Sequence, residues 1–381
     1  MKEKKYVDIS GFNLQQPNRG NAALSYGAIS FLEGQGLLST KNELIFFQYF
    51  RNPFKAKYLR KKTTIVEIAG KEYKYNIIPV LGIEKWLCMK YSLLLPFTRY
   101  GKLMKQVAYE AADYGGDGFS DIYGDNLFLA RLNQSLPFMK VGIPIIMLPQ
   151  TIGPFNKKEN FNIAIRILKY AKKIYVRDNK FIGELEKLNL PYQKSKDLSA
   201  FMKPEPWAIN IKENAIGINI SGLAYSNKFK DLSNQFDAYP ELINQIIEHF
   251  QKKGCNIYLI PHSYRYNSPE INNDDMEACK ATYNRLKDKN KVIFIDQDLS
   301  SPKVKYVISK MKFFIGTRMH ANFAAIYTNV PVFGLAYSYK FQGAFDANGL
   351  NGEKQTVMIN NISTEAIPSI IKKIETFYNE I

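Results

Sequence analysis

Residues 215–220, 256–261, 291–295, 312–316 and 331–335 are short, nearly continuous apolar runs, as in strands buried on both faces. Between them, 240–253, 274–287, 301–310 and 318–328 carry apolar residues at helical spacing. This β-α-β rhythm predicts a mostly parallel sheet covered by helices on both sides. The first half repeats it less regularly. There, 6–9, 44–47, 107–114, 144–148 and 173–176 read as strands, and 21–36, 122–140 and 157–172 as helices. Two prolines in Lys203-Pro204-Glu205-Pro206-Trp207 resist both helix and sheet, which marks a linker. The expected architecture is α/β: Rossmann-like domains over 1–203 and 204–360, then a terminal segment, 361–381, holding a last amphipathic helix over 364–378. Such sheets bind ligands beyond the C-terminal ends of their strands, so the expected site is a cleft lined by both sets of strand ends.

Composition narrows the function. A chain of 381 residues with 46% apolar and 23% charged residues is globular rather than disordered. Its three cysteines show no paired spacing and its histidines number only three, so neither a disulfide framework nor a metal centre is expected. The first ten residues lack the apolar core of a secretory signal, and no window has the roughly 18 apolar residues of a membrane span. The expected location is the cytoplasm. The net charge of +17 calls for an anionic partner. It is concentrated in residues 51–109, which hold thirteen Lys/Arg against three Glu, interleaved with aromatics and leucines. That mixture fits a surface resting on anionic lipid on the inner face of the cell membrane, or else a solvated basic face over an ordinary core. Nucleic acid is not expected, because no reader motif accompanies the charge.

Five stretches at predicted strand ends carry candidate chemistry. Asn18-Arg19-Gly20-Asn21-Ala22 opens the first helix and reads either as an anion-accepting turn or as a plain turn capped by Asn21. In Gly115-Gly116-Asp117-Gly118-Phe119-Ser120-Asp121, the carboxylates could hold sugar hydroxyls, or Asp121 could merely cap a helix. Gln150 and Thr151, framed by Pro149 and Pro154, form either a ligand contact or a rigid turn. Arg177, after the strand at 173–176, could grip a phosphate or carboxylate in bidentate fashion, or simply pair with Asp178. Arg318 and His320 in Gly316-Thr317-Arg318-Met319-His320 place a fixed cation and a titratable ring at a helix start, and His262 ends another strand of the same sheet.

Taken in order, these segments resemble the polysaccharide pyruvyl transferase family. The matching pieces are Gly20-Asn21, Gly115-Gly116-Asp117, Leu148-Pro149-Gln150-Thr151-Ile152-Gly153-Pro154-Phe155 and Val176-Arg177-Asp178. Then come Ile260-Pro261-His262 with Asn273-Asp274-Asp275, Gly316-Thr317-Arg318-Met319-His320, and 330–340 ending in Lys340. The resemblance covers roughly residues 6 to 350, and 50–105 match none of its motifs. It implies a GT-B-like fold, with a C-terminal helix crossing back towards the N-terminal domain. It also implies transfer of pyruvate from phosphoenolpyruvate, as a cyclic ketal, to a sugar of a cell-surface polysaccharide precursor on a lipid carrier. The family's donor-site groups fall on Arg177, Arg318, His320 and Lys340. Gly20, Asn21, Gly116, Asp117, Gln150 and His262 are then acceptor or cleft-lining candidates. His320 suits a general acid/base, because imidazole both donates and accepts near neutral pH. No cofactor or metal is needed, phosphoenolpyruvate being a co-substrate. The competing reading is a glycosyltransferase of the same fold with a nucleotide-sugar donor.

Overall fold

The computed structural model describes residues 5–52, 54, 60–179 and 181–381. Lys55, Lys57, Tyr58 and Leu59 of the basic stretch lie outside them. The chain divides into two compact units. One holds the residues up to Asn13 together with Leu24–Phe201, and the other holds Leu14–Ala23 with Met202–Ile381.

The first unit runs β1 (Tyr6–Ile9), α1 (Arg19–Gly34, whose first turn up to Ala23 belongs to the second unit), β2 (Glu43–Phe50), β3 (Lys62–Ile68), β4 (Lys71–Leu81), α2 (Gly82–Tyr91), α3 (Arg99–Met104) and β5 (Val107–Ala112). It continues through α4 (Asp125–Lys140), β6 (Ile145–Gln150), α5 (Lys158–Tyr170), β7 (Lys173–Val176), α6 (Ile182–Lys187) and β8 (Gln193–Lys194). Its eight strands lie in the order β3-β4-β2-β1-β5-β6-β7-β8, and only β3 runs antiparallel to its neighbour. The β3–β4 hairpin was not expected. Its turn is Ala69-Gly70, both at positive φ (55° and 78°), and alanine is an unusual residue for that conformation. The first helix begins two residues earlier than its apolar pattern indicates. Asn18 Oδ1 accepts the Gly20 N–H at 2.9 Å, so Asn18 rather than Asn21 makes the cap.

The second unit comprises β9 (Ala215–Asn219), α7 (Gly222–Ser226), α8 (Tyr239–Lys252), β10 (Asn256–Leu259), α9 (Asp275–Arg285), β11 (Val292–Phe294) and α10 (Ser301–Ser309). Then follow β12 (Phe313–Gly316), α11 (Met319–Ile326), β13 (Val332–Ala336), α12 (Lys340–Ala347), α13 (Gly352–Gln355), β14 (Thr356–Met358) and α14 (Ile367–Asn379). The sheet order is β11-β10-β9-β12-β13-β14, parallel throughout. All five residues of β9 are buried, as a central parallel strand requires. Helix α8 shows why the apolar spacing works. Tyr239, Leu242, Ile243, Ile246, Ile247 and Phe250 fall on one buried stripe, each contributing about 1.5–3 kcal/mol by burial.

The terminal helix α14 packs its apolar stripe onto the core of the second unit. Ile367, Ile370 and Ile374 join the core under α8, and Glu375 pairs with Lys253 and lies 3.5 Å from His249. The apolar stripe of α14 is therefore satisfied inside the second unit. Among the described residues, no helix is long and apolar enough to cross a membrane.

Candidate active site

In the second unit the ends of β9, β10 and β12 converge on one carboxylate. Asp275, fully buried at the start of α9, accepts backbone N–H bonds from Gly222 (2.9 Å), His262 (3.2 Å) and Ser263 (2.9 Å). It also accepts Asn219 Nδ2 at 3.2 Å, and Arg318 through Nε (3.0 Å) and Nη2 (2.7 Å). Arg318 Nη2 donates as well to Asn273 Oδ1 (2.8 Å), and the Arg318 N–H donates to Asn219 Oδ1 (2.8 Å). The neighbouring Asp274 caps α9 by accepting from the Met276 and Glu277 N–H groups. Burial opposes the charge on Arg318, but Asp275 more than offsets it and holds the guanidinium pKa above its usual value. Arg318 is thus oriented through two of its nitrogens. Its third, Nη1, makes no hydrogen bond among the described residues.

His320 occupies the first turn of α11, half-buried and edge-on to Phe323, with ring centroids 5.5 Å apart. Gly20 allows it that place. A Cβ on Gly20 would lie 2.6 Å from the His320 ring, so any other residue would push the imidazole away. The Gly20 segment is fixed in turn by Arg19. Its N–H donates to the His262 carbonyl (3.0 Å), its guanidinium reaches Asp298 (2.6 Å) and the Leu299 carbonyl (2.8 Å), and it lies over the Tyr264 ring. His262 is buried beside these groups. Burial, then the charges of His320, Arg19 and Arg318, keep its pKa well below the usual imidazole range, so the ring is neutral. Its Nδ1 has no hydrogen-bond partner among the described residues. Lys340 opens α12 beyond β13 and is half-buried. Tyr337, at the end of the same strand, is close enough to bear on the Arg318 charge.

In the first unit, Arg177 follows β7. Its Nε donates to Thr151 Oγ1 at 3.0 Å, and its Nη1 pairs with the buried carboxylate of Asp197. Gly116, at φ +77°, lies against this guanidinium, and a Cβ there would be 2.8 Å from Nη1. Asp197 also accepts the Ser199 N–H at 2.8 Å. Asp113, just past β5, is almost fully buried, and desolvation lifts its pKa to about 6. Asp117 accepts the Tyr123 hydroxyl at 2.7 Å.

The other predicted residues have the following surroundings. Gln150 is fully buried, and its amide bonds to backbone: Nε2 to Ala112 (2.8 Å) and Leu148 (3.1 Å), and Oε1 from Tyr114 (3.2 Å). Asn21 is exposed on the first turn of α1. Asp121 serves α5 rather than the helix after it, accepting the Asn156 and Lys157 N–H groups and Asn160 Nδ2. Sequence reasoning gave no role to Asp113, Asp197, Asn219 or Arg19. The three carboxylate and amide residues follow or end strands, a signal that could have found them.

Residues 18–339 match the sequence profile of the polysaccharide pyruvyl transferase family. A curated relative, the amylovoran biosynthesis protein AmsJ of Erwinia amylovora, is 21% identical over 94% of this chain and 88% of its own. Among solved structures, UDP-GlcNAc 2-epimerase from Neisseria meningitidis aligns over 98% of this chain and 92% of its own, with 10% identity and a TM-score of 0.50. The E. coli ADP-heptose LPS heptosyltransferase II aligns over 99% of both chains, with 11% identity and a TM-score of 0.44. The fold is GT-B-like, two Rossmann-like units each built on a mostly parallel sheet.

Proposed function

The chain belongs to the polysaccharide pyruvyl transferase family, and from that premise we propose that it moves pyruvate from phosphoenolpyruvate onto two hydroxyls of one sugar as a cyclic ketal. The observation that carries the donor assignment is Arg318, aimed by Asp275 and Asn273 with Nη1 left over, beside two imidazoles at the strand ends of one sheet. A fixed guanidinium suits a donor bearing both carboxylate and phosphate. Lys340, and Arg177 of the first unit, are the further donor contacts in this reading.

In the reaction, a proton adds to the methylene carbon of phosphoenolpyruvate and one sugar hydroxyl attacks C2. The phosphate departs, the second hydroxyl attacks the same carbon, and the ring closes as both hydroxyl protons are lost. His320 is the general acid/base in this scheme. Arg318 stabilises charge on the departing phosphate. Every step uses side chains of the protein, with no cofactor. Gly20, Asn21, Gly116, Asp117, Gln150 and His262 are the positions assigned to the acceptor or to the lining of its site.

The acceptor is a sugar of a cell-surface polysaccharide precursor, carried on lipid and met at the cytoplasmic face of the membrane. The named role of the relative in amylovoran biosynthesis and the basic stretch of 51–109 support this choice. A melting experiment tests the donor. Phosphoenolpyruvate should raise Tm and nucleoside diphosphates should not, since only a ligand of the native state shifts the unfolding equilibrium. The reverse pattern would favour a nucleotide-sugar donor.

A further inference from the structure

Helix α2 turns an apolar stripe outward. Ile83 and Trp86, on its open face, Tyr91 at its end, and Leu93 and Phe97 in the loop before α3 are between 45 and 73% exposed. Only Cys88 of α2 is fully buried, so most of this apolar surface is not used by the core. A concentration of large apolar side chains in one short stretch is unusual on a water-facing surface.

The charges around it have one sign. Residues 82–106 contain five Lys/Arg and a single acid, Glu84, whose carboxylate is turned back onto the Leu81 N–H at 3.2 Å. Lys90 lies 5.0 Å from the Trp86 ring and 5.1 Å from the Tyr91 ring, and those two rings meet edge-on at 5.6 Å. On α3, Tyr100, Gly101 and Met104 face inward, while Arg99, Lys102 and the following Lys105 are exposed. Tryptophan, tyrosine and lysine stems side by side are the chemistry of a lipid headgroup boundary, with an apolar body, a polar tip and a cation that reaches the phosphates.

We propose that the corner formed by α2, the loop 92–98 and α3 docks on an anionic bilayer, with Trp86 and Phe97 entering the headgroup layer and Lys90, Arg99, Lys102 and Lys105 against lipid phosphates. Exposed aromatics distinguish this occupant from a hydrated polyanion, which would use the cations but leave the rings in water. The proposal narrows the basic stretch to one face and leaves out the β3–β4 hairpin, where exposed Lys62 and Lys74 are accompanied by one exposed aliphatic side chain, Ile65, and by no exposed aromatic ring. It deepens the reading of a lipid-carried acceptor, but its test is binding alone, so it stands or falls separately from the donor chemistry.

The full chain is mixed with vesicles of phosphatidylglycerol and phosphatidylcholine, and separately with phosphatidylcholine alone. Co-sedimentation is expected with the anionic vesicles only. The chain has two tryptophans, so in a Trp207→Phe variant the emission reports Trp86. It should shift to the blue on anionic vesicles and be quenched by brominated lipid. Trp86→Ala with Phe97→Ala should weaken binding by about tenfold or more at unchanged Tm. Lys62→Glu with Lys74→Glu should weaken it far less. Three results would each overturn the proposal: equal binding to neutral vesicles, Trp86 emission unmoved on bound protein, or hairpin charges mattering as much as the aromatic pair. A dimer dissolved by the aromatic variant, with no vesicle binding, would assign the face to a second copy and overturn it too.

Discussion

Each unit follows a strand with an arginine held by a buried aspartate, yet the two pairs sit in opposite electrostatic settings. Around Arg177, the charges of Asp197, Asp117 and Asp178 all act on the guanidinium, and Asp113 is close by. One cation there faces several carboxyl groups. Around Arg318, the single carboxylate of Asp275 is consumed by backbone N–H groups and by the arginine itself, and the neighbours are His262 and His320. Arg19 is also near, but Asp298 answers its charge. Hence the second cluster favours an incoming anion more than the first, whose carboxyl groups are better matched to sugar hydroxyls. In the proposed reaction this contrast assigns donor recognition chiefly to Arg318 and acceptor recognition chiefly to the surroundings of Asp117, an assignment the following variants test.

The largest test of that contrast is removal of the two aspartates. Asp275→Ala strands a buried guanidinium and leaves three backbone N–H groups without their acceptor. It should cost about 3–5 kcal/mol of stability in denaturant unfolding. Asp197→Ala strands Arg177, but that arginine keeps Thr151 and has other carboxylates nearby, so its cost should be smaller. Equal losses would remove the distinction.

Next come the arginines. Arg318→Lys keeps a charge but loses the fork that Asp275 and Asn273 orient, and turnover should fall by about 100-fold to 1,000-fold. Arg177→Lys should cost less. A larger loss at Arg177 would move the donor to the first unit.

The third test uses pH. The folded pKa of Asp113 is raised to about 6, so its folded form prefers the proton. The stability it contributes is complete below about pH 4 and is lost as pH rises to about 6. The change amounts to about 3 kcal/mol for a group titrating alone. Asp8 and Glu110, facing each other across β1 and β5, are also raised by burial and act in the same direction. Asp113→Asn should flatten the pH 4–6 part of the profile, which thermal melts across that range would show. An unchanged slope would mean that Asp113 ionises freely.

The smallest of these effects is expected at Gly20. Gly20→Ala presses on the His320 ring, so turnover should drop while overpacking costs about 1–3 kcal/mol of stability. Wild-type turnover in that variant would show that the ring has room to spare.

Much of this was legible in the sequence because continuous apolar runs and helical spacing are direct consequences of a parallel sheet covered on both faces. The β9 run and the α8 stripe are examples. The β3–β4 hairpin was not legible, since its turn uses Ala69 where asparagine or aspartate would have signalled it. The residues that receive the α14 stripe were not legible, because an apolar stripe announces burial but not its partner. At the site, Arg318 and His320 could be read from position alone. The work of Asp275 could not, because its bonds reach Asn219, Gly222, His262 and Arg318, which are distant in sequence. The backbone bonds of Gln150 were equally illegible, since position at a strand end does not reveal what a polar side chain bonds to.

The central claim is that His320 moves the protons of pyruvyl transfer from phosphoenolpyruvate. The most direct measurement is phosphate release from phosphoenolpyruvate in the presence of lipid-linked oligosaccharide acceptors, with mass spectrometry of the products, for the wild type and for His320→Ala. The account predicts acceptor-dependent phosphate release and a pyruvate-ketal mass gain in the wild type. In the variant both should be abolished, with Tm and the phosphoenolpyruvate-induced melting shift retained. Near-normal turnover by a folded His320→Ala protein would contradict it.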